Sequence, residues 1–156
     1  MVKNLASYIV TLLLVSMAII SCIDDTTMQE DDNSNEFDIY FGSFGGLCGF
    51  SDSMSITVNL DLDYTLTDFC TDTNFETDNT ISQDQYSSLI NLLTISNFQK
   101  LNYNSCDRCV DGLDTFLHID GDDFTHRIVY GFKDDLSSIQ DFVDRLNDIR
   151  ESVKPQ

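Results

Sequence analysis

Met54, Ile56, Val58, Leu60, Leu62 and Tyr64 alternate without a break with Ser55, Thr57, Asn59, Asp61 and Asp63. Period-two alternation of this length predicts one strand with a buried face and a wet face. A wet face favours an antiparallel sheet over a parallel one. Residues Phe37 to Phe44 read as an earlier strand, followed by the glycine-rich turn Gly45-Gly46-Leu47-Cys48-Gly49. Residues 71 to 81 are polar and read as a loop. Ser82 to Gln85 fits S-x-x-Q, a capping box, and Tyr86, Leu89, Ile90 and Leu93 follow at helical spacing.

Phe98 to Tyr103 reads as a short strand, and Thr115 to Asp120 with Phe124 to Phe132 as a hairpin across Gly121-Asp122. A last helix carries Leu136, Ile139, Val143, Leu146, Ile149 and Val153 on one face. Asp134 and Asp135 stand at its start, with Arg145, Arg150 and Lys154 toward its end, which suits the helix dipole. The order β-β-(β)-α-β-β-β-α predicts one α+β domain over residues 37 to 154, an antiparallel sheet with two helices packed on one face.

Residues 1 to 21 do not belong to that pattern. Lys3 is their only charge, and an apolar stretch runs from Tyr8 to Ile20, which describes a secretory signal peptide. The stretch is shorter than the roughly 20 residues that cross hydrocarbon, and Thr11 and Ser16 interrupt it. Its ending, Ile19-Ile20-Ser21-Cys22, resembles the lipobox of bacterial lipoproteins, in which the cysteine is diacylated and becomes the new N-terminus. The resemblance implies that Cys22 holds the protein to a membrane through lipid, with enough acyl chains for stable anchoring.

Ile23 follows, so the Asp that marks inner-membrane retention in enteric lipoproteins is absent from that position. Asp24, Asp25, Glu30, Asp31, Asp32, Glu36 and Asp38 then form an acidic run that resembles the surface-export signal of lipoproteins in the Bacteroidota. Residues 22 to 36 thus read as a lipidated cysteine and an acidic tether, too polar to order itself, with a reach of up to about 50 Å. The address implied is the outer membrane, with exposure at the cell surface compatible with it.

Composition narrows the function classes. The chain of 156 residues has 27 Asp and Glu against 8 Lys and Arg, a formal charge of −19. A surface of that sign repels nucleic acid and argues against the folded part lying on anionic lipid. At 42% hydrophobic content a core is within reach. Removal of the leader takes Lys3 with it and makes the charge more negative still.

Four cysteines remain beyond Cys22: Cys48, Cys70, Cys106 and Cys109. In an oxidising compartment an even number suggests disulfides. Cys106–Cys109 with Cys48–Cys70 is the favoured pairing, and Cys48 joined to the 106–109 loop is the rival. A thiol redox site would need a helix to begin at the C-x-x-C, yet Val110-Asp111-Gly112 and a strand follow Cys109. A zinc site would need two further ligands from Cys48, Cys70, His118 and His126. With Gly121-Asp122 as the turn, His118 faces Thr125 and Leu117 faces His126. The two histidines then lie on opposite faces as ordinary surface or edge residues.

Asp107, Asp111 and Gly112 fail as a calcium loop, because Cys109 and His118 occupy the positions that need oxygen ligands. The acids of Asp120-Gly121-Asp122-Asp123 are explained by turn chemistry. Asp61, Asp63 and Asp68 would lie solvated beside one another, which does not make a general acid. No nucleophile, P-loop or H-E-x-x-H motif is present. No metal or cofactor is expected.

Gly45-Gly46-Leu47-Cys48-Gly49, the loop Cys106-Asp107-Arg108-Cys109-Val110-Asp111-Gly112 and the hairpin segment from His126 to Gly131 together resemble a loose set of uncharacterised bacterial lipoproteins. The resemblance spans roughly residues 37 to 153. It implies a fold and an envelope location, and no activity. The expectation is a noncatalytic, lipid-anchored envelope domain that binds a protein or glycan partner or acts structurally. The alternative is a thiol redox or zinc-binding module using Cys106 and Cys109.

Overall fold

The computed structural model describes residues 36–155 except Cys48 and Asp111. The signal sequence, Cys22 and the tether up to residue 35 lie outside the described residues. Strands β1 (Phe37–Gly45), β2 (Phe50–Ile56), β3 (Asp61–Asp68) and β4 (Thr73–Thr80) form a meander of antiparallel hairpins. Helix α1 (Gln83–Leu92) and the single turn α2 (Ile95–Phe98) follow, and then a 3₁₀ turn at Asp107–Val110. Strands β5 (Leu113–Gly121) and β6 (Thr125–Tyr130) add to the other side of β1, and α3 (Gln140–Val153) ends the domain. Among the described residues this is one antiparallel sheet in the order β4-β3-β2-β1-β5-β6. The protein is mixed α+β and mostly sheet.

One face of the sheet is covered. Phe41, Ile56, Leu117, Ile119 and Ile128 from the strands meet Leu89, Phe98, Phe142 and Leu146 from the helices, all fully buried. Each such side chain contributes about 1.5–3 kcal/mol by leaving water. The start of α1 forms as expected: the Ser82 hydroxyl accepts from Gln85 N–H while the Gln85 side chain accepts from Ser82 N–H. The Tyr86 hydroxyl then accepts from Phe37 N–H and donates to its carbonyl, both at 2.9 Å, fixing the helix to the first residue of β1.

Several elements differ from the sequence reading. The alternation from Met54 to Tyr64 is two strands. Leu60 N–H bonds back to the Thr57 carbonyl, and Leu60 itself sits at φ 69°, in the left-handed region. A turn followed by a left-handed residue closes a short hairpin. Ile56 then pairs with Leu62, so the buried phase continues across the turn. Residues 73–80, read as loop, are the edge strand β4. Phe98 to Tyr103, read as a strand, is the end of α2 followed by coil, and only Asn104 makes a bridge, to Val129.

The β5–β6 turn is Asp122-Asp123, with Gly121 N–H bonded to the Phe124 carbonyl. His118 therefore faces Arg127 and Ile119 faces His126, a register two residues from the expected one. The last helix starts at Gln140, later than expected. Asp134 and Asp135 instead accept from Gly131 and Ser137 N–H in the turns before it.

Candidate functional site

Two regions gather the groups that chemistry would need, one on each face of the sheet. On the covered face a polar row crosses the middle of the core: Thr115, Ser43 and Asp52 are cross-strand neighbours on β5, β1 and β2. Asp52 is only 1% exposed. It accepts from Ser43 N–H at 2.9 Å, and Arg150 and Lys154 from the end of α3 approach it at 3.4 and 3.6 Å. The Arg150 guanidinium lies 4.9 Å from the centre of the Phe41 ring and donates to the Ser43 hydroxyl and the Asn147 side chain.

Tyr64 stands beside this carboxylate. Burial, with the Asp52 charge adding to it, pushes its hydroxyl up to about 12. Burial also raises Tyr130, with the Arg150 charge opposing the shift. A buried carboxylate held by two cations and a backbone donor is a structural hub. Its oxygens already have partners, and Asp52 itself is shut away from water.

Among the described residues the other face carries no helix. Cross-strand pairing lays its side chains out in rows running from β6 to β4. One row reads Arg127, His118, Tyr40, Ser55, Asp63, Asp78, and the next Val129, Phe116, Gly42, Ser53, Thr65, Glu76. The face therefore grades from cation and aromatic rings at one end to hydroxyls and acids at the other. On β2, β3 and β4 the polar groups pair among themselves. Ser53 bonds Thr65 at 3.2 Å, Ser55 bonds Asp63 at 3.4 Å, and Thr67 bonds Asn74 at 3.3 Å.

The β1–β5–β6 end is built differently. A Cβ on Gly42 would lie 2.8 Å from the Phe116 ring, so the missing side chain lets that ring lie across the β1 backbone. The Arg127 guanidinium stacks 5.2 Å from the same ring, and Tyr40 tilts against His118 at 5.4 Å. Among the described residues, the side chains of Tyr40, His118, Asp120, Thr125 and Arg127 make no hydrogen bond. The Nδ1 atom of His118 is shut off from water as well. An open depression of about 660 Å³ lies over these residues, Phe116 and His126.

His126 points the other way. Its ring meets Phe98 edge-on at 4.9 Å, and Nε2 lies 2.8 Å from the Leu101 carbonyl, so it is a packed histidine and not a surface or edge one. The two histidines do face opposite sides, because a register shift of two residues preserves the parity of every position. Among the described residues no group of His, Cys, Asp and Glu is arranged to hold a metal ion.

Cys106 and Cys109 are bonded to each other, with Cα atoms 5.4 Å apart. Cys70 is also disulfide-bonded. The pairing expected for it falls on Cys48, outside the described residues. The 106–109 loop is pinned from several sides. Asp107 N–H donates to the Asp114 carboxylate at 2.7 Å, Gly112 N–H to the Asp107 carbonyl at 2.8 Å, and Phe132 N–H to the Asp107 carboxylate at 3.2 Å. Cys109 lies inside the 3₁₀ turn, and no α-helix starts there.

Sequence reasoning missed both regions. The signal for Asp52 was parity, since it shares its strand face with Met54 and Ile56. The signal for the open-face cluster was that Tyr40 and Phe116 occupy wet-side positions where polar residues are usual. Among the expected carboxylates, Asp61 and Asp63 are solvated on β3, and Asp68 accepts from Cys70 N–H at 2.9 Å. No protein-family model matches the chain, and no curated protein matches it.

Proposed function

We propose that the protein is a cell-envelope lipoprotein, anchored in the outer membrane through Cys22, whose folded domain binds a partner without catalysis on the helix-free face of its sheet. One observation supports this above others. The groups with chemical potential in the covered half are engaged by the fold, whereas those at the β1–β5–β6 end of the open face are held by ring contacts and have no hydrogen-bond partner among the described residues. The lipobox resemblance and the acidic run after it support the anchor and a surface-facing orientation.

The alternative, a thiol redox or zinc module at Cys106 and Cys109, has less behind it. The loop is bonded to β5 and to the segment after β6, and it lacks the helix N-terminus that lowers a thiol pKa. The test of the anchor is Cys22→Ser. The variant is expected in the soluble fraction with an unchanged melting temperature. Recovery with membranes at wild-type levels would remove the lipoprotein reading.

A further inference from the structure

We infer that the depression over β1, β5 and β6 binds a neutral oligosaccharide. This deepens the binding reading above and rests on it. The depression holds about 660 Å³, within the range of small-ligand sites, and it lies on rigid strands. Three features of its lining select the ligand class.

The first is electrostatic. Arg127 is the only Lys or Arg in any described strand, and Asp120 lines the same depression. With a chain charge of −19 around it, a polyanion is disfavoured, so nucleic acid and acidic polysaccharide do not fit.

The second concerns the strand edge. An extended peptide gains its affinity from an unpaired edge, through main-chain hydrogen bonds. Here the outer edge of β6 is occupied at Val129, whose N–H bonds the Tyr103 carbonyl and whose carbonyl accepts from Ser105 N–H. The stretch left beside the depression, Thr125 to Arg127, is shorter than an ordinary strand and gives an added peptide few main-chain bonds.

The third is the mixture of groups. Phe116 and Tyr40 supply flat apolar surface, which matches the C–H face of a pyranose ring. Around them stand a carboxylate that only accepts (Asp120), a guanidinium that only donates (Arg127) and a hydroxyl that does both (Thr125). A ligand group placed between a pure acceptor and a pure donor must itself donate and accept, and the sugar hydroxyl does. An apolar ligand would leave these heads without partners. The polar groups on β2, β3 and β4, by contrast, satisfy one another and offer little to a sugar.

The experiment is calorimetric titration of the full-length protein in a sugar-free detergent. The probes are maltohexaose, cellohexaose, xylohexaose and mannohexaose, with hexagalacturonate as the anionic control. At least one neutral hexaose is expected to bind saturably. Tyr40→Ala and Arg127→Ala should each weaken it by about tenfold or more, while Ser53→Ala on the self-paired half leaves it unchanged. Melting temperatures check that the variants fold, and Thr125→Ala, which leaves both stacks intact, serves where either does not. No neutral hexaose binding at about 10 mM, binding of hexagalacturonate alone, or binding indifferent to Tyr40→Ala would each overturn the inference.

A random-peptide library selected on the same protein separates the two levels of the argument. Peptides that need Tyr40, with no sugar bound, would reject the glycan and keep the binding face. Ligands of neither class would reject both.

Discussion

Two arginines lie on phenylalanine rings on opposite sides of one sheet, and the fold uses them in different ways. Arg150 sits 4.9 Å above Phe41, half-buried, with Ser43, Asn147 and Asp52 as hydrogen-bond partners. Arg127 sits 5.2 Å from Phe116 with no ion pair among the described residues. The geometry of the stacks is nearly the same. What differs is whether a buried charge depends on the cation. Asp52 would stand in the core with an incomplete counter-charge without Arg150, and leaving a buried charge uncompensated costs far more than losing a stack. Nothing buried depends on Arg127. The lesson is that a cation–aromatic contact reveals little until the rest of the guanidinium's partners are counted.

The strongest way to break the comparison is alkali. Burial pushes the Tyr64 hydroxyl up to about 12 from its ordinary 10.0, and raises Tyr130 as well. Between these values the unfolded chain releases protons that the folded one keeps, so stability is intact below pH 10 and is lost as pH rises through 12. The last part of the tyrosinate absorbance should appear together with the loss of circular dichroism, in one cooperative step. Tyrosinate appearing well before the loss of structure, with a full complement of tyrosines ionised, would show the covered face to be permeable.

Arg150→Ala comes next and is expected to cost about 3 kcal/mol, the lower end for a broken buried pair because Lys154 remains. Urea unfolding measures it, and a loss under about 1 kcal/mol would place Asp52 in a wetter setting than its burial indicates. Cys106→Ser opens a short loop and should cost about 2 kcal/mol, read as a lower urea midpoint with the slope nearly unchanged. An unchanged midpoint would mean that the hydrogen bonds of Asp107 hold the loop unaided. The smallest effect belongs to Arg127→Ala, within about 0.5 kcal/mol. A larger loss would give the open-face arginine a structural role and dissolve the contrast with Arg150.

Most of the fold could be read along the chain. The capping box at Ser82, the stripe from Tyr86 to Leu93 and the β5–β6 hairpin all follow from local chemistry. The errors have physical causes. The turn at 57–60 separates Ile56 from Leu62 by an even number of positions, so the buried phase continues and a period-two reading sees no break. Strand β4 is an edge with little to bury. Phe75 is its one large apolar residue, and its acids Glu76 and Asp78 guard an open edge. The last helix begins late because Asp134 and Asp135 serve turns before it.

The candidate site was harder. Tyr40, Phe116 and Arg127 meet only because β5 lies beside β1, a pairing between segments about half the chain apart that no local pattern announces. The same holds for Asp52 and Arg150, 98 positions apart.

That separation also has a consequence for timing. Asp52 belongs to the second strand to be synthesised, yet the cations that balance it sit at the very end of the domain. Any chain that stops short of Arg150 has a carboxylate with nowhere acceptable to go, so the early hairpins alone cannot close into the native core. The core closes around Asp52 only once the end of α3 has joined it. For a chain that must be threaded unfolded across a membrane, as the proposed export requires, this delay keeps the first strands uncommitted until the last turn of helix has passed through.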